Sequence, residues 1–128
     1  MIVAGVGCRK GASAHEIGAA ISAALSRAGL RTDVLDAIAT PAMKSSEAGI
    51  AAAASDLGVP LVLVPQADLK AAGARTVTRS ARVIALMGVP SAAETAALAA
   101  AGPAGRLVAP RTAVGAATCA LATSEANP

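Results

Sequence analysis

Residues 2–16 constrain the fold most, because they combine a short apolar run, a glycine-rich turn and a helix start. Ile2, Val3 and Ala4 are typical of a short buried strand. The segment GVGCRKGAS (5–13) then supplies three glycines, which let the backbone turn sharply. Ser13 and Glu16 have the S-x-x-E spacing of a capping box. A strand, a tight turn and a capped helix in this order predict an α/β fold.

The remaining chain repeats this alternation. The expected helices are 14–28, one opened by Ser46 and Glu47, 65–72, one capped by Ser80, and 92–101. Ser91 and Glu94 predict a second capping box at the start of the last of these helices. The further strands are expected at 33–39, 61–64, 106–109 and 116–122, with a loop at 110–115. Residues 61–64 are all apolar, as in a strand buried on both faces of a parallel sheet. We therefore expect one three-layer α/β domain over residues 1–122, with a mostly parallel sheet of about five strands flanked by helices, the last two strands forming a hairpin, and 123–128 as a frayed tail.

Composition excludes several classes of partner. The chain has no Phe, Tyr or Trp, 37 of its 128 residues are alanine, and its net charge is only +3. Because single-stranded nucleic acids are bound by aromatic stacking and duplexes by dense basic patches, we expect no nucleic-acid partner. No apolar run approaches the roughly 20 residues of a membrane span. The start also lacks a signal peptide, so we expect a cytoplasmic protein with no membrane partner and with Cys8 and Cys119 as free thiols.

Cations and hydroxyls are expected at one edge of the sheet. Ligands of such sheets bind beyond the carboxyl ends of the strands, where we expect the loops 5–13, 40–46, 65–68 and 110–115. Three of these loops carry cations or hydroxyls, and the backbone amides of residues 7–11 lie at a helix start, where anions are favoured. A small polyanion is therefore the expected ligand.

Other interpretations of these residues remain open. The glycine turn can be a plain βα connection with solvated charges. It can also serve an enzyme that binds a nucleotide or sugar phosphate, with Asp33 or Asp36 near the distance of a ribose partner, although Gly11 falls one residue late for G-x-G-x-x-G. A third possibility is a non-catalytic interaction module of a biosynthetic complex.

Four segments carry a resemblance that covers residues 2 to about 122. VGCRKGAS (6–13), IATPAMKSSEAGI (38–50), SARVIALMGVPSAAETAAL (80–98) and RLVAPRTAVGAATCALA (106–122) occur in the order found in cobalamin-biosynthesis proteins of the CobE and CbiG C-terminal type, which this chain resembles. The resemblance implies a part in corrin-ring assembly. CbiG-type proteins have an extra N-terminal region, and their reaction opens a lactone and releases two carbons as acetaldehyde. This chain has no room for that region and looks like the stand-alone CobE form, for which binding, carriage and hydrolysis of a precorrin all remain open.

The resemblance also implies a site and its partners. Precorrins are rings rimmed with acetate and propionate carboxylates, which cationic side chains would pair with. Arg111 stands where we expect a lysine in the family. We expect no cofactor and no metal, and as partners a tetrapyrrole precorrin intermediate and other cobalamin-biosynthesis enzymes. Independently of the resemblance, alanine-rich helices can pack between subunits, which allows a homodimer. The expected substrate-binding residues are Gly7, Cys8, Arg9, Lys10, Gly11, Ser13, Thr40, Lys44, Glu47, Arg111, Thr112, Gly115 and Thr118.

A few side chains have both a chemical and a packing interpretation. Cys8, beside two cations at a helix start, is either a thiolate nucleophile, a cobalt ligand or a small space-filling residue. Glu94 is either an acid/base group or a helix cap, and Glu47 has Lys44 within reach. His15 is expected on an exposed helix surface, and Cys119 in the core.

Overall fold

The computed structural model describes residues 1–124 and has helices on both faces of a five-stranded sheet. The α/β class predicted from the sequence is confirmed. In chain order the main elements are β1 (Ile2–Cys8), α1 (Ala14–Arg27), β2 (Leu35–Pro41), α2 (Ala48–Leu57), β3 (Leu61–Val64), α3 (Gln66–Ala72), α4 (Ala81–Met87), α5 (Ala92–Ala101), β4 (Arg106–Val114) and β5 (Ala117–Thr123). The frayed tail was predicted to begin at residue 123, but Thr123 is the last residue of β5. Residues 125–128 of the predicted tail lie outside the described residues.

The sheet is mixed, so the expectation of a mostly parallel sheet was only partly right. The strand order is β3-β2-β1-β5-β4. The β1–β2 and β2–β3 pairs are parallel, whereas β5 is antiparallel to both β1 and β4. The change of direction comes from the predicted hairpin, which reverses the chain at Gly115 (φ 58°) and inserts β5 beside β1.

Alternate residues of the central strands face two separate layers of helices. Ala4, Val6 and Ile38 pack with Ile17 of α1 and Ile50 of α2. On the opposite face, Val3 and Ala39 pack with Leu69 of α3 and Ala96 of α5. This division follows from the two-residue period of a strand and gives the three layers expected.

Helix α5 lies unusually close to β1. Seven of its ten residues are buried, and four of these are alanines. At Gly5 an added Cβ would collide with the carbonyl oxygen of Ala93 and lie 2.7 Å from Ala97 Cβ. The small alanine side chains of α5 therefore allow its backbone to approach β1 closely.

Strand β3 is not buried on both faces, so that prediction was wrong. Val62 and Leu63 are 38% and 43% exposed, because β3 is the outermost strand and has a partner on one side only. An apolar run indicates a strand, but it does not say whether the strand is central.

The segment 110–115 is not the predicted loop. Residues 110–114 continue β4, which forms the other edge of the sheet. Pairing with β5 shifts register between Leu107 and Ala109 and again between Ala109 and Thr112, the interval that contains Pro110. A bulge of this kind is where an edge strand tolerates proline, which lacks the N–H for a ladder hydrogen bond.

Among residues 1–124, no single helix has the length and apolar composition to cross a membrane. Helices α4 and α5 taken together reach the length and apolar composition of a membrane span, but the chain bends by 65° between them.

Candidate functional site

A cleft of about 470 Å³ lies where the carboxyl ends of β1 and β2 meet the β4–β5 hairpin and α4. The volume is in the usual range of small-molecule sites. Eight of the residues expected from the sequence line it: Gly7, Cys8, Arg9, Lys10, Lys44, Arg111, Gly115 and Thr118. The other five, Gly11, Ser13, Thr40, Glu47 and Thr112, do not line it.

The cleft is strongly cationic. Its lining contains five cationic side chains, those of Arg9, Lys10, Lys44, Arg82 and Arg111, and the described residues that line it include no Asp, Glu or His. Sequence reasoning missed Arg82, which belongs to α4 and to the segment 80–98 that carries part of the resemblance. Five cations without a lining carboxylate form a surface complementary to a polyanion.

The glycine turn (5–13), four of whose residues line the cleft, is already hydrogen-bonded within the protein. The amide of Gly11 donates to Oε1 of Glu47 at 2.8 Å, and the amide of Arg9 donates to the carbonyl of Ala116 at 2.8 Å. These two amides are therefore occupied, so the prediction that backbone donors of residues 7–11 bind a ligand does not extend to Arg9 and Gly11. Glu47 thus joins the start of α2 to the turn.

The predicted capping box at α1 is confirmed and has a second role. Ser13 Oγ accepts a hydrogen bond from the amide of Glu16 at 3.1 Å, and the Glu16 carboxylate accepts one from the amide of Ser13 at 3.2 Å. The same carboxylate also accepts from the amide of Ala116 at 2.9 Å. The bond from Ala116, followed by those from Ser13, lowers the pKa of Glu16. Glu16 thus fixes the hairpin turn that carries Gly115 into the cleft.

The three threonines expected at the site occupy different places. Thr40 is fully buried, and its hydroxyl donates to the carbonyl of Val6 at 2.8 Å, so it links β1 to β2. The hydroxyl of Thr112 accepts from Arg27 of α1 at 3.2 Å. Only Thr118 lines the cleft, where its hydroxyl donates to the carbonyl of Gly7 at 3.2 Å.

Glu94 does not line the cleft, but it binds the backbone of Arg111, which does, and the segment that precedes Ser80. Its side chain is fully buried, Oε1 accepts from the amides of Val77 and Thr78 at 2.8 and 2.9 Å, and Oε2 accepts from the amide of Arg111 at 3.0 Å. The second predicted capping box is therefore only half present: Ser91 Oγ accepts from the Glu94 amide at 3.2 Å, but the carboxylate turns to the two distant segments.

The hydrogen bonds to Glu94 keep it ionised. Burial is the largest single influence and raises its pKa, but the hydroxyl and amide of Thr78 and the amides of Arg111 and Val77 together lower the pKa below its ordinary value. The sequence contained no signal for this role, because the three donors lie 16 or 17 residues away in two different segments.

Cys8 does not have the character of a thiolate. Its side chain is half-buried in the cleft lining, and burial raises the pKa of the thiol; Lys44 lowers it, while Glu47 and Glu16 raise it further. The expected electrostatic activation is therefore reversed, and a small packed side chain fits the structure. Cys119 is in the core, where burial raises its pKa strongly, and His15 is exposed.

Among the described residues, no three His, Cys, Asp or Glu side chains come together as a metal site would require.

Comparisons with known proteins all point to one pathway. The family model "Cobalamin synthesis G C-terminus" matches residues 2–122. A protein from a Sinorhizobium species, Protein CobE, is 34% identical over 121 residues, which is 94% of this chain and 79% of that protein.

Solved structures give the same result. The crystal structure of CobE, a protein from the cobalamin (vitamin B12) biosynthetic pathway, has a TM-score of 0.89 and 32% identity over 95% of this chain and 89% of that chain. Cobalamin biosynthesis protein chiG from Agrobacterium tumefaciens has a TM-score of 0.78 and 43% identity over 98% and 100% of the two chains. A cobalamin biosynthesis protein G homologue from Sulfolobus solfataricus has a TM-score of 0.71 and 25% identity over 97% of this chain and 37% of that longer chain.

Proposed function

Since this chain belongs to the cobalamin synthesis G C-terminus family and is a cobalamin-biosynthesis protein, we propose that its cleft binds an anionic precorrin intermediate during corrin-ring assembly. The observation that carries the proposal is the group of five cations that lines the cleft without an acidic neighbour in the lining. A ring rimmed with carboxylates matches this surface, because each carboxylate replaces lost water with a charge-assisted hydrogen bond.

The cations are of two kinds and play different parts. The guanidinium groups of Arg9, Arg82 and Arg111 have the planar fork that holds a carboxylate with two parallel hydrogen bonds. The ammonium groups of Lys10 and Lys44 are mobile point charges, which suit carboxylates on flexible acetate and propionate arms. The arginines therefore set the orientation of the ring, and the lysines add attraction.

The residues of the cleft support binding or carriage more than hydrolysis. Lactone opening needs a group that accepts a proton from water, usually His, Asp or Glu. The described lining has none of these side chains, and burial holds the Cys8 thiol in its protonated form. We therefore propose that this chain holds the intermediate, with the hydrolase activity of CbiG-type proteins as the second candidate.

Removing two cations is expected to weaken ring binding about 100-fold. Arg9→Ala/Lys44→Ala deletes two charge-assisted contacts, each contributing about 1.5 kcal/mol. The affinity for hydrogenobyrinic acid is measured by titrating the absorbance of the ring, since the protein has no aromatic residues. Binding is also expected to weaken with added salt, because the contacts are electrostatic.

The matched control is Arg31→Ala/Arg106→Ala. It removes the same charge at the opposite end of the sheet, where Arg31 pairs with the exposed Asp33 and Arg106 begins β4. We expect its affinity to stay near that of the wild-type protein. Equal weakening in both double variants would contradict a specific site, and a change in ligand mass during the titration would establish catalysis. Displacement of the ring by ADP would favour the nucleotide interpretation, and failure of the wild-type protein to bind the ring would favour the interaction module.

A further inference from the structure

Helix α4 differs from the other helices around the sheet in how little it is packed. None of its residues is fully buried. The amide of Ser80 donates to the carbonyl of Pro90 at 2.9 Å, so the two ends of the segment 80–90 are joined, and Val89 near its end is buried in the core. At its far end, the side-chain amide of Gln66 donates to the carbonyl of Met87 at 2.6 Å. Hydrogen bonds therefore fix both ends of α4, although none of its own side chains is fully buried.

The cleft side of α4 is apolar, unlike the wall opposite it. Val83, Leu86 and Met87 line the cleft. Val83 and Met87 are partly buried and also pack against the core, whereas Leu86 is 68% exposed although it is a large apolar residue. Arg82 stands on the same helix and adds a cation at the border of this apolar strip. An apolar strip beside a group of cations is complementary to a molecule with an apolar face and an anionic edge.

We propose that α4 is the specificity element of the site: Val83, Leu86 and Met87 take the flat apolar face of the ligand while the cations hold the carboxylates at its edge. This inference rests on the proposed function and adds to it the residues that contact the apolar face of the ligand. The cleft has the volume of a site for a drug-sized ligand, so a larger ring extends beyond it, across the exposed surface of Leu86. Small polycarboxylates use only the cationic wall.

The test compares two ligands and two single variants. Leu86→Ser removes the apolar contact at an exposed position, so the fold is retained; Leu63→Ser makes the same change at the exposed edge strand β3, away from the cleft. The ligands are hydrogenobyrinic acid and 1,2,3,4-butanetetracarboxylate, which carries several carboxylates but no apolar face and is measured by displacement of the ring.

We expect Leu86→Ser to weaken ring binding about 10-fold, as loss of one buried leucine contact implies, and to leave the tetracarboxylate affinity unchanged. Leu63→Ser should change neither affinity, whereas Arg9→Ala/Lys44→Ala should weaken both. Unchanged ring binding in Leu86→Ser, with a normal loss in the cation variant, would overturn the role of α4 and leave the proposed function standing. Equal weakening of both ligands by Leu86→Ser would also overturn it, and absence of ring binding to the wild-type protein would overturn both proposals.

Discussion

Replacing Gly5 with alanine is expected to destabilise the protein by about 3 kcal/mol or more, the upper end of what overpacking costs. The added Cβ would collide with the carbonyl oxygen of Ala93 and lie within 2.7 Å of Ala97 Cβ, and both neighbours are held by the backbone of α5. Neither can turn aside as a flexible side chain would, so α5 must move away from β1. The free energy of unfolding is measured by urea titration followed by far-UV circular dichroism.

Gly18→Ala is the matched control for this prediction. Gly18 lies in the interior of α1, and no heavy atom outside its own helix surroundings lies within 4 Å of an added Cβ. Alanine loses less backbone entropy than glycine in a helix, so we expect a gain of about 0.5–1 kcal/mol. A Gly5→Ala variant as stable as the wild-type protein would show that α5 does not approach β1 as closely as described.

Glu94→Gln is expected to lower the free energy of unfolding by about 2–3 kcal/mol near neutral pH, because the amide group cannot accept every hydrogen bond that the carboxylate accepts. The amides of Val77, Thr78 and Arg111 share its two oxygens, and the side-chain NH₂ of glutamine must face at least one of these donors. The loss should extend to function. Since Glu94 fixes the backbone of Arg111 and the segment before α4, we also expect weaker ring binding.

The effect of Glu94→Gln should depend on pH. The pKa of Glu94 is lowered from 4.5 in the folded protein, so the unfolded chain takes up its proton first as the pH falls. The carboxylate therefore contributes its full stability above the unfolded pKa, and this contribution is lost as the pH falls through the lower folded pKa. The difference in stability between wild type and variant is expected to be largest near about pH 7 and to shrink below about pH 4.5.

Asp56→Asn serves as the control, because Asp56 is an exposed carboxylate on α2. Its removal should change stability by no more than about 0.5 kcal/mol. A Glu94→Gln variant whose deficit is the same at all pH values would mean that the charge of Glu94 does not stabilise the folded state.

Features that depend on a few neighbouring residues were predictable from the sequence. The capping box of Ser13 and Glu16, the bounds of α5 and the glycine at the end of α2 each follow from local hydrogen bonding or backbone geometry. The class of fold followed from the alternation of these elements. The cationic character of Arg9, Lys10 and Lys44 at the carboxyl ends of β1 and β2 followed as well, since the strands must end there.

What the sequence could not determine depends on which distant segments meet. The burial of β3 and the course of residues 110–114 depend on their places at the two edges of the sheet, which are set by strand order. The role of Glu94 depends on contact with residues 16 and 17 positions away, and that of Glu47 on a turn 36 positions away. The position of Val83, Leu86 and Met87 in the cleft lining likewise depends on where the tertiary structure places α4. Local propensity is encoded by neighbours along the chain, whereas pairing and burial are decided by the packing of the whole domain.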